Sequence, residues 1–536
     1  MLVLILILAV YIFMPFFREG WANAHCEEDA YYYFSIARNL AQGQGLTYAG
    51  EWTNGFQPLW QFLISVIFLF PTSLMTPVKI ALVLGGIFFL MSGLMVYRSG
   101  LLLWKEKSLA QFATLVWLSC IFAFEQAMNG LETGLYFFGL SGLIYVFLKR
   151  IRLNPSPGLR DWIYLGLVSG ICFLARIDAC LILVPIWGAG WWHTYRKLRR
   201  VGTKVPRTVR KSIFHIFIGF LVFLALALPW VGYNLWLWGN PLPVSAYFAG
   251  VQFWQEMTFK WRVAMSLKAL LRLPLFYPLS FYTYFRHWNQ MNFILLAIGS
   301  LIWGGCFLFD RKLRDEVLKL PLGSMIFAAA FLTLGYLIPT TAHWFIPRYL
   351  APVILLLLFY AAVFWHHYLG RNPVLIGGVC AALIVFSPLL DYYGAGRKNL
   401  FPKYYLNIYR LENVEWIKKH LPANKPIASF QSGIYHYYLS PAGYQFYNLD
   451  GKVSISAYQA LKGNRLDRYV REKRIVYMID WTQYLKPFFK NYHWEPEKDY
   501  RILGRLESDD LAELVYNGKE FKKDELKKFI MKTRAE

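Results

Sequence analysis

Charge is scarce in this sequence. Only 16% of its residues are Asp, Glu, Lys or Arg, against 57% hydrophobic and 19% aromatic. A 536-residue chain this apolar, with mean hydropathy +0.35, cannot hide its side chains in one soluble core. It reads as a polytopic membrane protein. Cysteine is scarce as well: of six, Cys120, Cys172, Cys180, Cys306 and Cys380 lie within or beside apolar runs, and Cys26 stands alone in the first loop. No CxxC or Cys/His ligand spacing occurs, so neither a disulfide framework nor a zinc site is supported. A Gly-rich phosphate loop, a DxD-type nucleotide-sugar motif, an internal repeat and a low-complexity tract are also missing. The first apolar segment, 2–17, has no basic start and no A-x-A site after it. It reads as a retained span, and the missing basic start also fits numbering from an internal methionine.

What charge there is has a direction. The formal net charge is +24, but the Lys and Arg fall in short blocks between apolar runs and not along aromatic-interleaved ridges, which argues against nucleic acid. Basic blocks at 98–107, 149–160, 196–211, 311–319 and Arg371 mark cytoplasmic loops facing anionic lipid. Spans are expected at 2–17, 78–97, 109–124, 134–148, 163–176, 179–195, 212–235, 291–309, 322–338, 350–368 and 373–390, about eleven in all. The alternation closes if 58–70 is re-entrant or lies on the outer face. Loops 18–77, 125–133, 236–290 and 339–349 then open on the far side. Everything after Asp391 lies there too.

Near Asp391 the long apolar runs give way to a mixed segment. The chain therefore divides into a transmembrane part, 1–390, and a C-terminal soluble α/β domain, 391–536. Glu412 to His420 has helical spacing, and Pro426 to Phe430 and Arg474 to Ile479 read as strands. The segment carries 26 Lys and Arg against 18 Asp and Glu, a net of +8. Long translocated domains are exempt from the charge rule, so this agrees with an outside location.

Carboxylates beside a membrane are costly without a task, and loop 18–77 carries Glu27-Glu28-Asp29. These acids open a helix expected to run to about Gln42 and end at Gly43 and Gly45. Dipole complementation is the plain explanation. Three consecutive acids followed by Tyr31, Tyr32 and Tyr33 suggest more: an aromatic wall suits a sugar ring, and poor hydration raises a carboxylate toward the basicity a general base needs. Three further outward points are polar at membrane depth. Glu132, in Asn129 to Thr133, reads as a helix cap or a site acid. Arg176-Ile177-Asp178 interrupts an apolar run and reads as an internal ion pair or a ligand group. His343 and Arg348-Tyr349 precede a span and read as headgroup snorkelling or anion binding. Convergence of Arg176, Arg348 and His343 would make a cationic pocket suited to a lipid phosphate.

Glu-Asp-Ala-Tyr-Tyr-Tyr at 28–33, Ala37-Arg38-Asn39-Leu40, Gly43-Gln44-Gly45 and Thr53 to Trp60 (TNGFQPLW) together resemble the first outer loop of the GT-C superfamily. These are integral-membrane glycosyltransferases that use polyprenyl-phosphate sugars. The closer likeness is to lipopolysaccharide-core galacturonosyltransferases and mycobacterial terminal arabinofuranosyltransferases. It continues through Gly130 to Thr133, Ala175 to Asp178, Tyr233-Asn234, Gly239 to Pro243, Arg348-Tyr349 and Tyr447 to Gly451.

The resemblance implies Asp29 as general base, with Glu28 beside it where many relatives have Asp. It implies Glu132 at the acceptor or metal site, and Arg176 and Arg348, with His343 and Tyr349, on the donor phosphate. Asn54, Tyr32 and Asp178 are expected to line the substrate cavity. The expected reaction is an inverting transfer from a polyprenyl-phosphate sugar to a cell-envelope glycan, glycolipid or glycoprotein acceptor, at the outer face of the inner membrane. A divalent cation, Mg or Mn, could be held by Glu28, Asp29 and Glu132. The competing class is a transporter or flippase of a lipid-linked glycan, and a third reading makes the basic tail a polymer-binding module.

Overall fold

A computed structural model of the protein describes residues 2–70, 73–200, 206–247, 298, 301–337, 346–369, 402–481, 501–508 and 511–517. Helix α1 (Leu2–Phe17) buries Leu4, Leu8 and Ile12 on one stripe and leaves Leu2, Val3, Leu6 and Val10 exposed, a one-sided contact with protein. The short α2 (Glu19–His25) leads to α3 (Glu28–Ala41). Glu28 and Asp29 fill the first turn of α3, where the dipole favours anions, and Gly43 at φ +77° lets the chain leave the helix. Strands β1 (Thr47–Tyr48) and β2 (Glu51–Trp52) then pair antiparallel around Ala49-Gly50. Both turn residues have positive φ, which matches the right-handed twist of a tight hairpin. Helix α4 (Pro58–Ser65) with its 3-10 extension to Leu69 is too short to cross.

The longest apolar helix before residue 200 is α5 (Met75–Trp104), 30 residues. At about 1.5 Å per residue it reaches roughly 45 Å, well beyond a hydrocarbon core. After α6 (Lys107–Leu118) and α7 (Ile121–Ala127), α8 (Thr133–Val146) packs back on α5. A Cβ on Gly134 would sit 2.4 Å from the Gly85 carbonyl oxygen, so this pair approaches through small residues, the usual means of joining helices in lipid. Helices α9 (Leu159–Ala175) and α10 (Cys180–Arg200) are separated by a 3-10 turn at Ile177–Ala179, the break expected at Arg176-Ile177-Asp178. Helix α11 (Pro206–Trp238) exposes Ile213, Phe214, Phe217, Phe220 and Leu221, an apolar surface that needs lipid to cover it. Next come α12 (Arg311–Lys319), α13 (Gly323–Leu337), the single turn α14 (Ile346–Tyr349) and α15 (Ala351–Leu369).

Among the described residues four helices are long and apolar enough to cross a membrane: Met75–Trp104, Thr133–Arg152, Val209–Trp238 and Ala351–Tyr368. A fifth arises if Arg311–Lys319 and Gly323–Tyr336, bent by 84°, count as one. Hydropathy alone does not register breaks: 109–124 is interrupted between α6 and α7, 163–176 lies on a 17-residue helix, and 179–195 runs into a basic last turn. The candidate at 373–390 and residues 291–297, 299 and 300 of the candidate at 291–309 lie outside the described residues.

The tail begins with α16 (Pro402–His420), ten residues earlier than its spacing suggested. Strand β3 (Ile427–Ser429), α17 (Gly433–Leu439), β4 (Phe446–Asn448), α18 (Ile455–Lys462), α19 (Leu466–Glu472), β5 (Tyr477–Trp481), β6 (Arg501–Ser508) and β7 (Leu511–Asn517) follow. They form a mixed sheet in the order β4-β3-β5-β7-β6, with β3 parallel to both neighbours and β7 antiparallel to both of its own. All three β3 residues are buried, as a central parallel strand requires. Helix α17 seats on α3: the Tyr437 ring meets Tyr31 at 5.6 Å and Phe34 at 5.8 Å, and Arg38 donates to the Tyr437 carbonyl at 2.8 Å and to Ser440 Oγ at 2.7 Å. This docking carries the tail onto the acidic loop.

Candidate active site

The start of α3 meets two distant parts of the chain at once. Asp29 Oδ1 accepts from Lys452 Nζ at 3.0 Å, and Oδ2 faces Arg348 Nη1 at 3.8 Å. Lys452 is shared, since its Nζ also lies 3.7 Å from Asp450 Oδ2 while its backbone N–H donates to Asp450 Oδ1 at 2.8 Å. Glu28 turns toward the tail, where Oε1 accepts from the Gly433 N–H at 2.6 Å. A Cβ on Gly433 would stand 2.5 Å from the Glu28 carbonyl oxygen, so glycine is what lets the two segments touch.

These surroundings push the two neighbouring acids apart. Burial lifts the Glu28 carboxyl to about 7, against the pull of Arg410. Burial would lift Asp29 too, but Lys452 and Arg348 outweigh it and hold Asp29 below the usual carboxylate range. The basicity expected of Asp29 from poor hydration is therefore found on Glu28. Asp450 is lifted by burial to about 6, partly offset by Lys452. Burial alone would lower the Lys452 ammonium, yet Asp29, Asp450 and Glu28 together raise it above the normal lysine range.

A second ion group lies at the helix break. Arg176 grips Asp178 through two bonds, Nε to Oδ1 at 3.1 Å and Nη2 to Oδ2 at 2.6 Å, and Tyr336 donates to the same Oδ2 at 2.5 Å. Its remaining nitrogen, Nη1, faces Glu132 Oε1 at 3.7 Å and is buried without a hydrogen bond among the described residues. Glu132 also accepts from Tyr33 at 3.2 Å. The two arginines share Tyr349, whose ring centroid lies 5.1 Å from Arg176 and 5.2 Å from Arg348. Tyr349 in turn stacks on Tyr336 at 4.8 Å. Arg176, Arg348, Tyr349, Glu132 and Asp178 thus gather in one place, with Asp29 at its edge. Each arginine has a carboxylate beside it: Arg176 is held by Asp178 and faces Glu132, and Arg348 faces Asp29 at 3.8 Å. His343 lies outside the described residues.

Other expectations fare differently. Tyr31, Tyr32 and Tyr33 are all buried and do not form an open wall for a sugar. Tyr32 is a docking group: its hydroxyl donates to the Phe430 carbonyl at 3.4 Å and accepts from Ser432 N and Asn448 Nδ2, each at 3.2 Å. Asn54 spends its amide on structure, donating to Asn234 Oδ1 at 2.9 Å and accepting from Val244 N at 3.1 Å. The residues proposed for a divalent cation do not fit one. Glu132 is turned to Arg176 and Tyr33, Asp29 and Asp450 share an ammonium, and among the described residues no three of His, Cys, Asp and Glu converge.

Lys452, Gly433 and Arg410 escaped the sequence reading, and Asp450 entered it only within the resemblance over Tyr447 to Gly451. The only local signal was the turn Asn448-Leu449-Asp450-Gly451, in which Gly451 takes φ +79° and its N–H donates to Asn448 Oδ1 at 2.9 Å. Nothing in that turn names its partner 423 residues away.

A family described as a domain of unknown function, DUF8728, matches residues 403–522. No curated protein matches. Two crystal structures of the Archaeoglobus fulgidus oligosaccharyltransferase align with the chain. The apo form aligns at 11% identity and TM-score 0.47, covering 97% of this chain and 74% of that one. The complex with zinc and sulfate aligns at 12% identity and TM-score 0.36, covering 91% and 69%. This chain is therefore an apolar, helix-rich protein suited to a membrane, whose matched tail docks on an acidic loop beside its spans.

Proposed function

We propose that the protein transfers a sugar from a polyprenyl-phosphate donor to a glycan or glycolipid acceptor at the membrane surface. The observation that carries the reading is Asp29 held between Lys452 and Arg348 at the start of α3. Arg348 is the cation a phosphate would reach: its side chain is 12% exposed, against 2% for the doubly paired Arg176. When the donor phosphate takes Arg348, Asp29 loses one of the cations that depress it and becomes more basic. Asp29 then accepts the proton of the acceptor hydroxyl, whose oxygen attacks the anomeric carbon from the face opposite the phosphate. The carbon–oxygen bond to phosphate breaks and the lipid phosphate leaves with the electron pair, so the product is inverted. Charge grows on the phosphate as the bond breaks, and a fixed cation there lowers the barrier as well as binding the ground state. Arg176 supports from behind, ordering Tyr349 between the two guanidinium groups.

Glu28 is nearer neutrality in basicity, but geometry takes precedence over pKa in choosing a base. Its bonded oxygen faces Gly433 and the tail, whereas Asp29 faces the arginine that would hold phosphate. The test uses the full-length protein in nanodiscs with labelled polyprenyl-phosphate sugars and membrane glycolipid. Asp29→Asn should cut transfer by about 10²- to 10⁴-fold, the usual worth of a positioned base, at unchanged expression. Full activity in that variant removes Asp29 from the chemistry. Movement of intact label across liposomes without transfer would instead identify a lipid-linked glycan transporter.

A further inference from the structure

The tail of unknown function has a specific place in the ion network. We propose that Lys452 is a positioning residue that fixes the charge and orientation of Asp29, so that the tail, through this residue, completes the active site and is not a separate acceptor-binding module. The inference rests on the reading of Asp29 as the base.

The backbone around Lys452 is constrained from both sides before its ammonium meets a carboxylate. On the tail side Gly451 turns the chain against Tyr458, where a Cβ would stand 2.8 Å from the Tyr458 Cα. Asp450 takes the Lys452 N–H. On the loop side Gly55 presses on the Lys452 carbonyl, and a Cβ there would come within 2.1 Å of that oxygen. Gly55 is itself pinned, its N–H donating to Thr53 Oγ1 at 3.1 Å. Asn448 and Ser432 meet Tyr32, and the Gly433 N–H meets Glu28, so the tail holds α3 at Glu28, just before Asp29, and again at Tyr32. A lysine placed with this much scaffolding is not a solvated charge that happens to find an acid. Its side chain is only 15% exposed, so the pair is screened little by water.

The charges bearing on Asp29 come from three elements. Lys452 and Arg410 come from the tail and Arg348 from α14, with Glu28 alongside on α3 and Asp450 behind the lysine. Removing Lys452 leaves burial opposed mainly by Arg348, and the Asp29 carboxyl rises. Because the base must be ionised, the acid limb of the pH–rate profile moves to higher pH. An opposite charge within hydrogen-bonding distance moves a carboxylate by about 1 to 3 pH units, which sets the expected displacement. An acceptor-binding lysine would behave otherwise: its loss would raise KM for the acceptor and leave the acid limb where it was.

The experiment compares wild type, Lys452→Met, Lys452→Gln and Lys452→Arg in nanodiscs, with labelled polyprenyl-phosphate sugar as donor. The expected result is a fall in kcat with an upward-shifted acid limb for Met and Gln, and a near wild-type profile for Arg. Gln retains a hydrogen-bond donor without the charge, so it stands in where Met does not yield folded protein by size-exclusion. An unmoved acid limb with raised acceptor KM, or a wild-type profile in both neutral variants, overturns the role of Lys452 while leaving the transferase reading intact. No transfer by wild type overturns the transferase reading itself, and full transfer by Asp29→Asn removes Asp29 from the chemistry and the role of Lys452 with it.

Discussion

Glu28 offers a test that needs no substrate. Its carboxyl titrates near 4.5 in an unfolded chain and at about 7 in the folded protein. Between those values the folded state keeps a proton that the unfolded chain has released, so stability falls as pH rises through this window. Above pH 7 the full cost is present. At about 1.4 kcal/mol per pH unit, a rise of this size corresponds to about 3 kcal/mol, good to order of magnitude. Glu28→Gln removes the charge while its amide oxygen can still accept from the Gly433 N–H, so the substitution isolates desolvation from hydrogen bonding. The variant should be more stable than wild type by up to about 3 kcal/mol at about pH 8, with the difference vanishing at about pH 4. Asp450, raised to about 6, is among the acids that lift Glu28, so its titration adds to the difference instead of cancelling from it. The assay is thermal unfolding of full-length protein in nanodiscs, followed by tryptophan fluorescence across that pH range. A difference that is the same at both ends, or a variant less stable than wild type at high pH, would refute the assignment of a buried, costly carboxylate at Glu28.

Other substitutions probe the remaining parts of the network. Arg176→Ala strands Asp178 and Glu132 without their cation and should cost about 3 to 5 kcal/mol, seen as lost monodisperse protein on size-exclusion. Arg348→Ala should be far milder in the same assay, since that side chain is more exposed, and should instead weaken donor binding. Gly55→Ala should push the Lys452 carbonyl away and loosen the tail, measured as faster limited proteolysis after residue 400.

Much of the local architecture can be read without coordinates. The acids at the start of α3 and the glycine after it bracket the helix as observed, the 58–70 segment stops short of a span, and Arg176-Ile177-Asp178 is a break. Both predicted strands overlap strands of the sheet. These features depend on neighbours within a few residues, which is where capping, periodicity and dipole effects act. Four helices among the described residues are long and apolar enough to span, and apolar windows do not reveal where a helix breaks or bends. The tyrosines after Asp29 were misjudged for a related reason: an aromatic run looks the same in sequence whether it faces a cavity or a docked domain.

The sequence by itself determined that this protein suits a membrane, where helix α3 begins and ends, and that acidic and basic groups sit unusually close to apolar runs. Only the tertiary structure decided which charges meet. Arg176 turned inward to Asp178 and Glu132, Arg348 to Asp29, and Lys452 crossed 423 positions to join Asp29. Helix signals are local because backbone hydrogen bonds are local. A buried ion pair has no such limit: its partners are chosen by the packing of α17 on α3 and by the need to neutralise any charge that packing buries.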